Sequence, residues 1–199
     1  CSSDLPDIRH KLIEKGYTHV YIMEEGTDEV IPEDVISDQV RTEAQLALED
    51  KVTRIKRIEG FQNMTADKVR DTLASGNLQQ VELTYDLKKI VTEIIKDISA
   101  SNVKFMSTLM PKSQDSYFVD HAVNTAVLAV LLGKQFRYTR DELLMLGLGA
   151  FLHDIGKVVI EQMTRGQNSA SAVSLYHEHP TFGYLLLKND KAISPLVLQ

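Results

Sequence analysis

The sequence predicts a mainly α-helical protein that begins with a small α+β segment. Apolar residues recur at helical spacing through most of the 199 residues, and 43% of all residues are hydrophobic, which is enough to build a core. One short run, residues 17–23 (YTHVYIM), is instead rich in β-branched and aromatic residues and precedes a turn-forming cluster. It predicts a single strand, with residues 29–31 as its candidate hairpin partner.

The first half of the chain contains four amphipathic patterns, each with a recognisable start or stop. Gly16 ends the first pattern, and Gly60 follows the second, in which alternating charges predict a solvent-facing helix. The predicted helices cover residues 4–15, 37–57, 65–75 and 78–99. Gly76 and Asn77 interrupt the pattern most strongly, so we expect a small N-terminal domain at residues 1–77 and a second domain at residues 78–199.

The second half is more apolar and predicts buried helices. Residues 118–133 are apolar on every side of a helical wheel except at a polar group formed by Asp120, His121, Asn124 and Thr125. Such groups are costly to bury unless they are paired or ligated. Residues 139–142 match the capping box, and the apolar helix that follows leads into His153 and Asp154. Residues 161–178 look irregular, and His179-Pro180 opens a last helix.

Composition excludes several functional classes. The net charge of -6 does not resemble the basic footprint of a general DNA or RNA binder. The single cysteine excludes an internal disulfide and any multi-thiolate metal site, so a metal must use carboxylates and the six histidines. The longest apolar run, residues 126–133, is too short to span a bilayer, and no signal-peptide pattern opens the chain. We expect a cytoplasmic protein without a membrane partner.

The two ends suggest a fragment of a longer protein. The chain starts with Cys1-Ser2-Ser3 instead of Met, and it stops in the apolar residues 196–198 followed by Gln199. A lipidated N-terminal cysteine is an alternative explanation of the first feature, and an expression remnant is another.

The strongest chemical signal is residues 153–157 (HDIGK) at the end of an apolar helix. Imidazole nitrogen and carboxylate oxygen suit Fe, Mn, Zn or Co, and the two oxygens of Asp154 allow it to bridge two cations. His153 and Asp154 point about 100° apart on a helix, so further ligands must come from elsewhere, and His121 and His179 are the candidates. Lys157 would share their face if the helix continues, where its ammonium group could meet a phosphate oxygen.

Each of these residues also has an ordinary structural interpretation. His121 alone could be a core histidine bonded to a backbone carbonyl, and His179 could simply begin a helix. Lys157 alone could be a solvated cation. His177 and Glu178 form a His-Glu-His run with His179 but are expected in an exposed loop, and the two remaining histidines, His10 and His19, are expected at the surface.

The order of three motifs resembles the HD-GYP branch of the HD phosphohydrolase superfamily. The motifs are residues 117–124 (YFVDHAVN), residues 152–157 (LHDIGK) and residues 179–183 (HPTFG), and the resemblance extends over residues 78–199. It implies a helical HD-type domain, and residues 16–26 look like the small regulatory or dimerising domain that often precedes it in bacteria.

By this resemblance, the protein is a metal-dependent phosphodiesterase that hydrolyses the bacterial messenger cyclic di-GMP to pGpG or GMP. His121, His153 and Asp154 would bind one of two divalent metals, most often iron or manganese. Asp154 would bridge to the second metal and His179 would ligate it. Lys157 would bind the substrate phosphate and act with Asp154 in catalysis. The implied partners are a cyclic dinucleotide and a second copy of the chain in a homodimer.

The sequence departs from the family pattern at several places. The later histidine pair, a further aspartate and the Gly-Tyr-Pro loop do not occur in it, which leaves four protein ligands for two metals. Tyr117 stands where some relatives carry a glutamate, which favours two metals over three, and residues 164–178 lack the expected Leu-Thr-x-x-Glu pattern. Two alternatives stay open: a non-catalytic HD-fold binding module, and an HD hydrolase for nucleoside triphosphates or cyclic GMP-AMP.

Overall fold

The fold is described from a computed structural model over residues 35–58, 60–75, 84–101, 117–165 and 175–198. These residues are mainly helical and include no strand. The helix predicted at residues 4–15 and the strand predicted at residues 17–23 lie outside the described residues, so the α+β character of the N-terminal segment stays a prediction.

The described helices are, in chain order, α1 (Asp38–Lys56), α2 (Ala66–Ala74), α3 (Tyr85–Ala100), α4 (Tyr117–Gln135), α5 (Arg140–Leu152), α6 (Gly156–Met163) and α7 (His179–Leu187). Short 3-10 turns cover Phe61–Asn63 and Pro195–Leu198.

Helices α1 and α2 confirm the positions that the sequence predicted for them. Each begins after a hydroxyl side chain: Ser37 Oγ accepts from the Val40 amide and Thr65 Oγ1 accepts from the Lys68 amide, both at 3.4 Å. Such caps satisfy amide groups that have no partner within the helix. The helix predicted at residues 78–99 is confirmed as α3 from residue 85, and residues 78–83 lie outside the described part.

Among the described helices, α4 and α5 pack most extensively against each other. The capping box predicted at the start of α5 is present, because Glu142 accepts from the Thr139 amide at 2.7 Å and the Thr139 hydroxyl accepts from the Glu142 amide at 3.4 Å. Helix α4 is less completely buried than expected, since Leu128 and Leu132 remain exposed. Gly147 of α5 lies so close to Val91 of α3 that a methyl group there would come within 2.6 Å of it.

The structure confirms that the metal-ligand motif follows the end of the apolar helix, and it corrects one expectation about the region after α5. Residues 153–155 form a turn, and α6 starts at Gly156. The segment predicted to be irregular from residue 161 is helical as far as Met163, which is itself buried, as are Val159 and Ile160. Burial of this apolar face stabilises the helix through residue 163. The sequence did not predict its last turn, because the residues that follow are polar.

One hydrophobic core joins the described helices. Helix α1 packs against α3, α4 and α6, α2 packs against α7, and the turn Phe61–Asn63 packs against α6. Leu48, Ile55, Phe61 and Val69 belong to the same core as Val123 and Phe182. Gly76 and Asn77 lie outside the described residues, so the division at residue 77 stays a prediction.

Residues 140–163 are apolar and long enough to cross a membrane by length and composition alone. The sequence predicted the first part of this stretch as a buried helix and did not single it out as a membrane span. It is 61% buried within the protein, and the turn at residues 153–155 divides it. Contact with the neighbouring helices accounts for the buried part of this apolar stretch.

Candidate metal centre

Asp154 is a buried carboxylate at the junction of α5 and α6. It lies in the turn that joins them, and its side chain is 6% exposed. The junction is narrow because Gly156 touches the backbone of α7: a methyl group on Gly156 would lie 2.0 Å from the His179 carbonyl oxygen and 2.6 Å from the Gly183 amide nitrogen. Only glycine allows α6 and α7 to approach this closely, and the approach brings the start of α7 to Asp154.

Four nitrogen atoms surround this carboxylate, and they come from α4, α6, α7 and the turn itself. Oδ2 of Asp154 lies 3.5 Å from His121 Nε2, 3.2 Å from His153 Nε2 and 2.5 Å from Lys157 Nζ. Oδ1 lies 3.3 Å from His179 Nε2. All five residues that the sequence singled out are therefore together, and the two carboxylate oxygens face different histidines.

Backbone carbonyls fix the orientation of two of the imidazoles. His153 Nδ1 lies 2.8 Å from the Ala150 carbonyl oxygen, and His179 Nδ1 lies 2.7 Å from that of Tyr176. A carbonyl oxygen only accepts, so each Nδ1 carries the proton, and in the neutral ring Nε2 presents its lone pair towards Asp154. This is the usual arrangement of a histidine that binds a metal.

The donor set fits a divalent cation. His121, His153 and Asp154 each offer a ligand atom within 4.8 Å of the other two, and His121 Nε2 lies 3.3 Å from His153 Nε2. Lone pairs of neutral imidazoles and a carboxylate repel one another at such distances unless a cation or a proton lies between them. His179 is outside this group of three and faces the other oxygen, Oδ1.

Lys157 and two tyrosines complete the surroundings. Lys157 forms an ion pair with Asp154, three residues earlier. The sequence predicted a shared face for these two residues if the helix continued; the structure has a turn before α6, and the two side chains meet nevertheless. Its ammonium group also lies 5.4 Å from the centre of the Tyr176 ring. Tyr117, at the position where some HD-GYP relatives carry a glutamate, stacks in parallel on His121 with ring centres 5.8 Å apart.

Two members of the polar group on α4, Asp120 and Asn124, have partners on α1. The Arg41 guanidinium donates to Asn124 Oδ1 at 2.8 Å in the interior, and Gln45 Nε2 donates to Asp120 Oδ1 at 2.7 Å. The sequence predicted that these groups need partners, and the structure identifies them. The contacts hold α4 on both sides of His121, which α4 carries.

An ion pair between Arg70 and Glu178 lies beside His179, and the sequence did not predict it. Arg70 of α2 donates to Glu178 Oε2 from Nε at 3.2 Å and from Nη2 at 2.5 Å. The hydrogen bond to Glu178 raises the pKa of Arg70 above its usual value. Residues 108 positions apart leave no local pattern by which sequence could pair them. His177 is exposed, as expected, and His10 and His19 lie outside the described residues.

A cleft of about 590 Å³ opens beside the centre. His121, Asp154, Lys157 and both tyrosines line it on one side, and residues of α1 line it on another. This volume is typical of a site for a nucleotide-sized molecule.

Comparison with known proteins gives one match. Residues 118–198, well under half of the chain, match the HD domain family, and this range contains all five residues of the centre. The match supports the HD phosphohydrolase superfamily and, together with the His121, His153 and Asp154 cluster, indicates a metal-dependent phosphohydrolase. Searches of curated proteins and of solved structures gave no match.

Proposed function

We propose that this protein is a metal-dependent phosphodiesterase that hydrolyses cyclic di-GMP to pGpG or GMP in bacterial second-messenger signalling. One observation carries the proposal: Asp154 faces two imidazoles at one oxygen and a third at the other, as a bridging carboxylate would. The match of residues 118–198 supports phosphohydrolase chemistry. The resemblance of three ordered motifs, around His121, His153 and His179, to the HD-GYP branch supports the finer assignment.

We assign His121, His153 and Asp154 to one divalent cation, and Asp154 and His179 to a second. Nitrogen and carboxylate ligands of this kind suit iron or manganese. When bound, such cations polarise the phosphoryl oxygens and lower the pKa of water towards about 7, which supplies the nucleophile for hydrolysis.

The chain itself orients the ligands and supplies one positive charge to the substrate. The carbonyl hydrogen bonds of His153 and His179 keep both Nε2 atoms directed at Asp154 before any cation binds, which limits the reorganisation that binding requires. Lys157, 25% exposed and lining the cleft, stabilises the negative charge that develops on the phosphoryl group. Cytoplasmic location and homodimer formation remain part of the proposal.

The test is hydrolysis by the full-length protein, loaded anaerobically with Fe(II) or Mn(II). We expect conversion of cyclic di-GMP to pGpG or GMP, which is measured by separating the products. His179→Ala should lose this activity, whereas His177→Ala, which changes an exposed histidine two positions away, should keep it. No hydrolysis of any nucleotide would favour the non-catalytic binding module, and faster hydrolysis of a nucleoside triphosphate or cyclic GMP-AMP would reassign the substrate.

A further inference from the structure

Helix α1 forms a wall of the cleft that the family match does not include. Glu49, Val52, Thr53 and Lys56 of α1 line the same cleft as Asp154 and Lys157, although α1 ends more than 60 positions before the matched residues begin. This wall adds a cation, Lys56, to the surface that a substrate would meet.

Lys56 reaches across the cleft to α6. Its ammonium group lies 3.0 Å from Glu161 Oε1, and Glu161 follows Lys157 by four residues on α6. Four residues of α-helix rise about 6 Å, so the contact point of Lys56 lies about one helical turn along the cleft from Lys157. Both members of this ion pair are exposed, Lys56 by 41% and Glu161 by 62%.

We propose that Lys56 binds a second phosphate of the substrate, while the metal centre and Lys157 hold the phosphate that is cleaved. The inference rests on the proposed function and adds to it the residue that would hold the second of the two phosphates of cyclic di-GMP. An exposed lysine–glutamate pair contributes little to stability, so the ammonium group can exchange Glu161 for a phosphate oxygen at small cost. Lysine binds phosphate well as a mobile point charge.

The local charges give the proposal a direction that can be measured. Glu49 and Glu161 also line the cleft, so loss of Lys56 would leave these two carboxylates as the charged lining side chains near its place, with Lys157 one helical turn away. A nucleotide with one phosphate, held at the metal centre, would not reach Lys56. Selectivity for two phosphates over one should therefore depend on this lysine.

The experiment compares the binding of pGpG, which has two phosphates, with that of GMP, which has one. Calorimetric titration of the manganese-loaded protein should show that Lys56→Gln weakens pGpG binding about tenfold or more and changes GMP binding less than about twofold. Glu161→Gln is the matched variant, because it breaks the same ion pair from the other side. It should leave pGpG binding unchanged or make it tighter.

Three results would overturn the inference. Equal weakening by both variants would mean that the ion pair acts only through structure, equal loss for pGpG and GMP would mean a general charge effect, and no loss for either would mean that Lys56 does not contact the nucleotide. The proposed function fails separately: if the wild-type protein binds pGpG through Lys56 but does not hydrolyse cyclic di-GMP, the phosphate site stands and the enzymatic activity does not.

Discussion

Substituting Gly156 by alanine tests the contact between α6 and α7 on which the centre depends. The new methyl group would lie 2.0 Å from the His179 carbonyl oxygen, whereas atoms in ordinary contact are about 3.5 Å apart. Helix α7 must then move by more than about 1 Å, because both obstructing groups are backbone atoms that cannot rotate away. The movement would carry His179 Nε2 away from Asp154 Oδ1, which now lies 3.3 Å from it.

The expected change in the free energy of unfolding of Gly156→Ala is the difference between two opposing effects. Alanine in place of glycine within a helix stabilises by about 1 kcal/mol, and overpacking a rigid contact costs about 1–3 kcal/mol or more. Because the clash is with backbone, we expect the upper end of this range and a net loss of about 2 kcal/mol. With a urea dependence of about 2 kcal/mol per M, the unfolding midpoint should fall by about 1 M.

Gly149→Ala is the matched control for this substitution. Gly149 lies in α5, and a methyl group there would meet only Val197, at 4.0 Å. We expect it to stabilise the protein by about 0.5–1 kcal/mol. Urea unfolding and calorimetric Mn(II) titration of both variants measure the two effects. Equal stability of the two variants, with unchanged Mn(II) affinity in Gly156→Ala, would refute the close approach of α6 and α7.

Three further predictions concern the centre and its support. Asp154→Asn should weaken Mn(II) binding more than about 100-fold, because the amide lacks the charge on which the imidazoles converge. Arg70→Gln should reduce Mn(II) affinity by up to about tenfold, because it releases Glu178 beside His179. Hydrogen bonds from the backbone and hydroxyl of Thr139 lower the pKa of Glu142, so this carboxylate stabilises the fold above its unfolded pKa and loses that effect as pH falls through the folded value. Glu142→Gln should therefore flatten the acid side of the stability profile measured by urea unfolding.

Each of these predictions has a result that contradicts it. Full Mn(II) occupancy in Asp154→Asn would remove Asp154 from the ligand set. Arg54→Gln breaks an exposed pair with Asp50 on α1 and is the control for Arg70→Gln, so equal affinity losses in both would deny any role of Glu178 in orienting His179. An acid limb of unchanged slope in Glu142→Gln would mean that other carboxylates determine it.

The sequence predicted best where a local pattern carries the information. The capping box at residues 139–142 placed the start of α5 correctly, because capping requires only neighbouring residues, and the apolar patterns from residues 37 and 65 placed the starts of α1 and α2. The candidate ligands were also accessible, since imidazole and carboxylate on apolar helices need partners wherever they meet.

What the sequence could not give depends on distant contacts. Nothing near Arg70 indicates that it binds Glu178, and nothing near Lys56 indicates that it faces the cleft. The division of the Asp154 oxygens between His121 and His179 was implied only by the family resemblance, because no spacing along the chain encodes it. Helix α6 was partly missed for a similar reason, because its stability comes from burial against α1 and α7.

The packing of Val91 against Gly147 bears on how such a domain can be exchanged between proteins. A transplanted segment limited to residues 118–198 would leave behind α3, whose Val91 fills the space that Gly147 leaves open, and α1, which covers Asn124 with Arg41. The recipient would acquire every candidate metal ligand named above together with an uncovered apolar face and a buried amide without its guanidinium partner. A transplanted segment that keeps these contacts must therefore carry α1 and α3 along with the residues around Asp154.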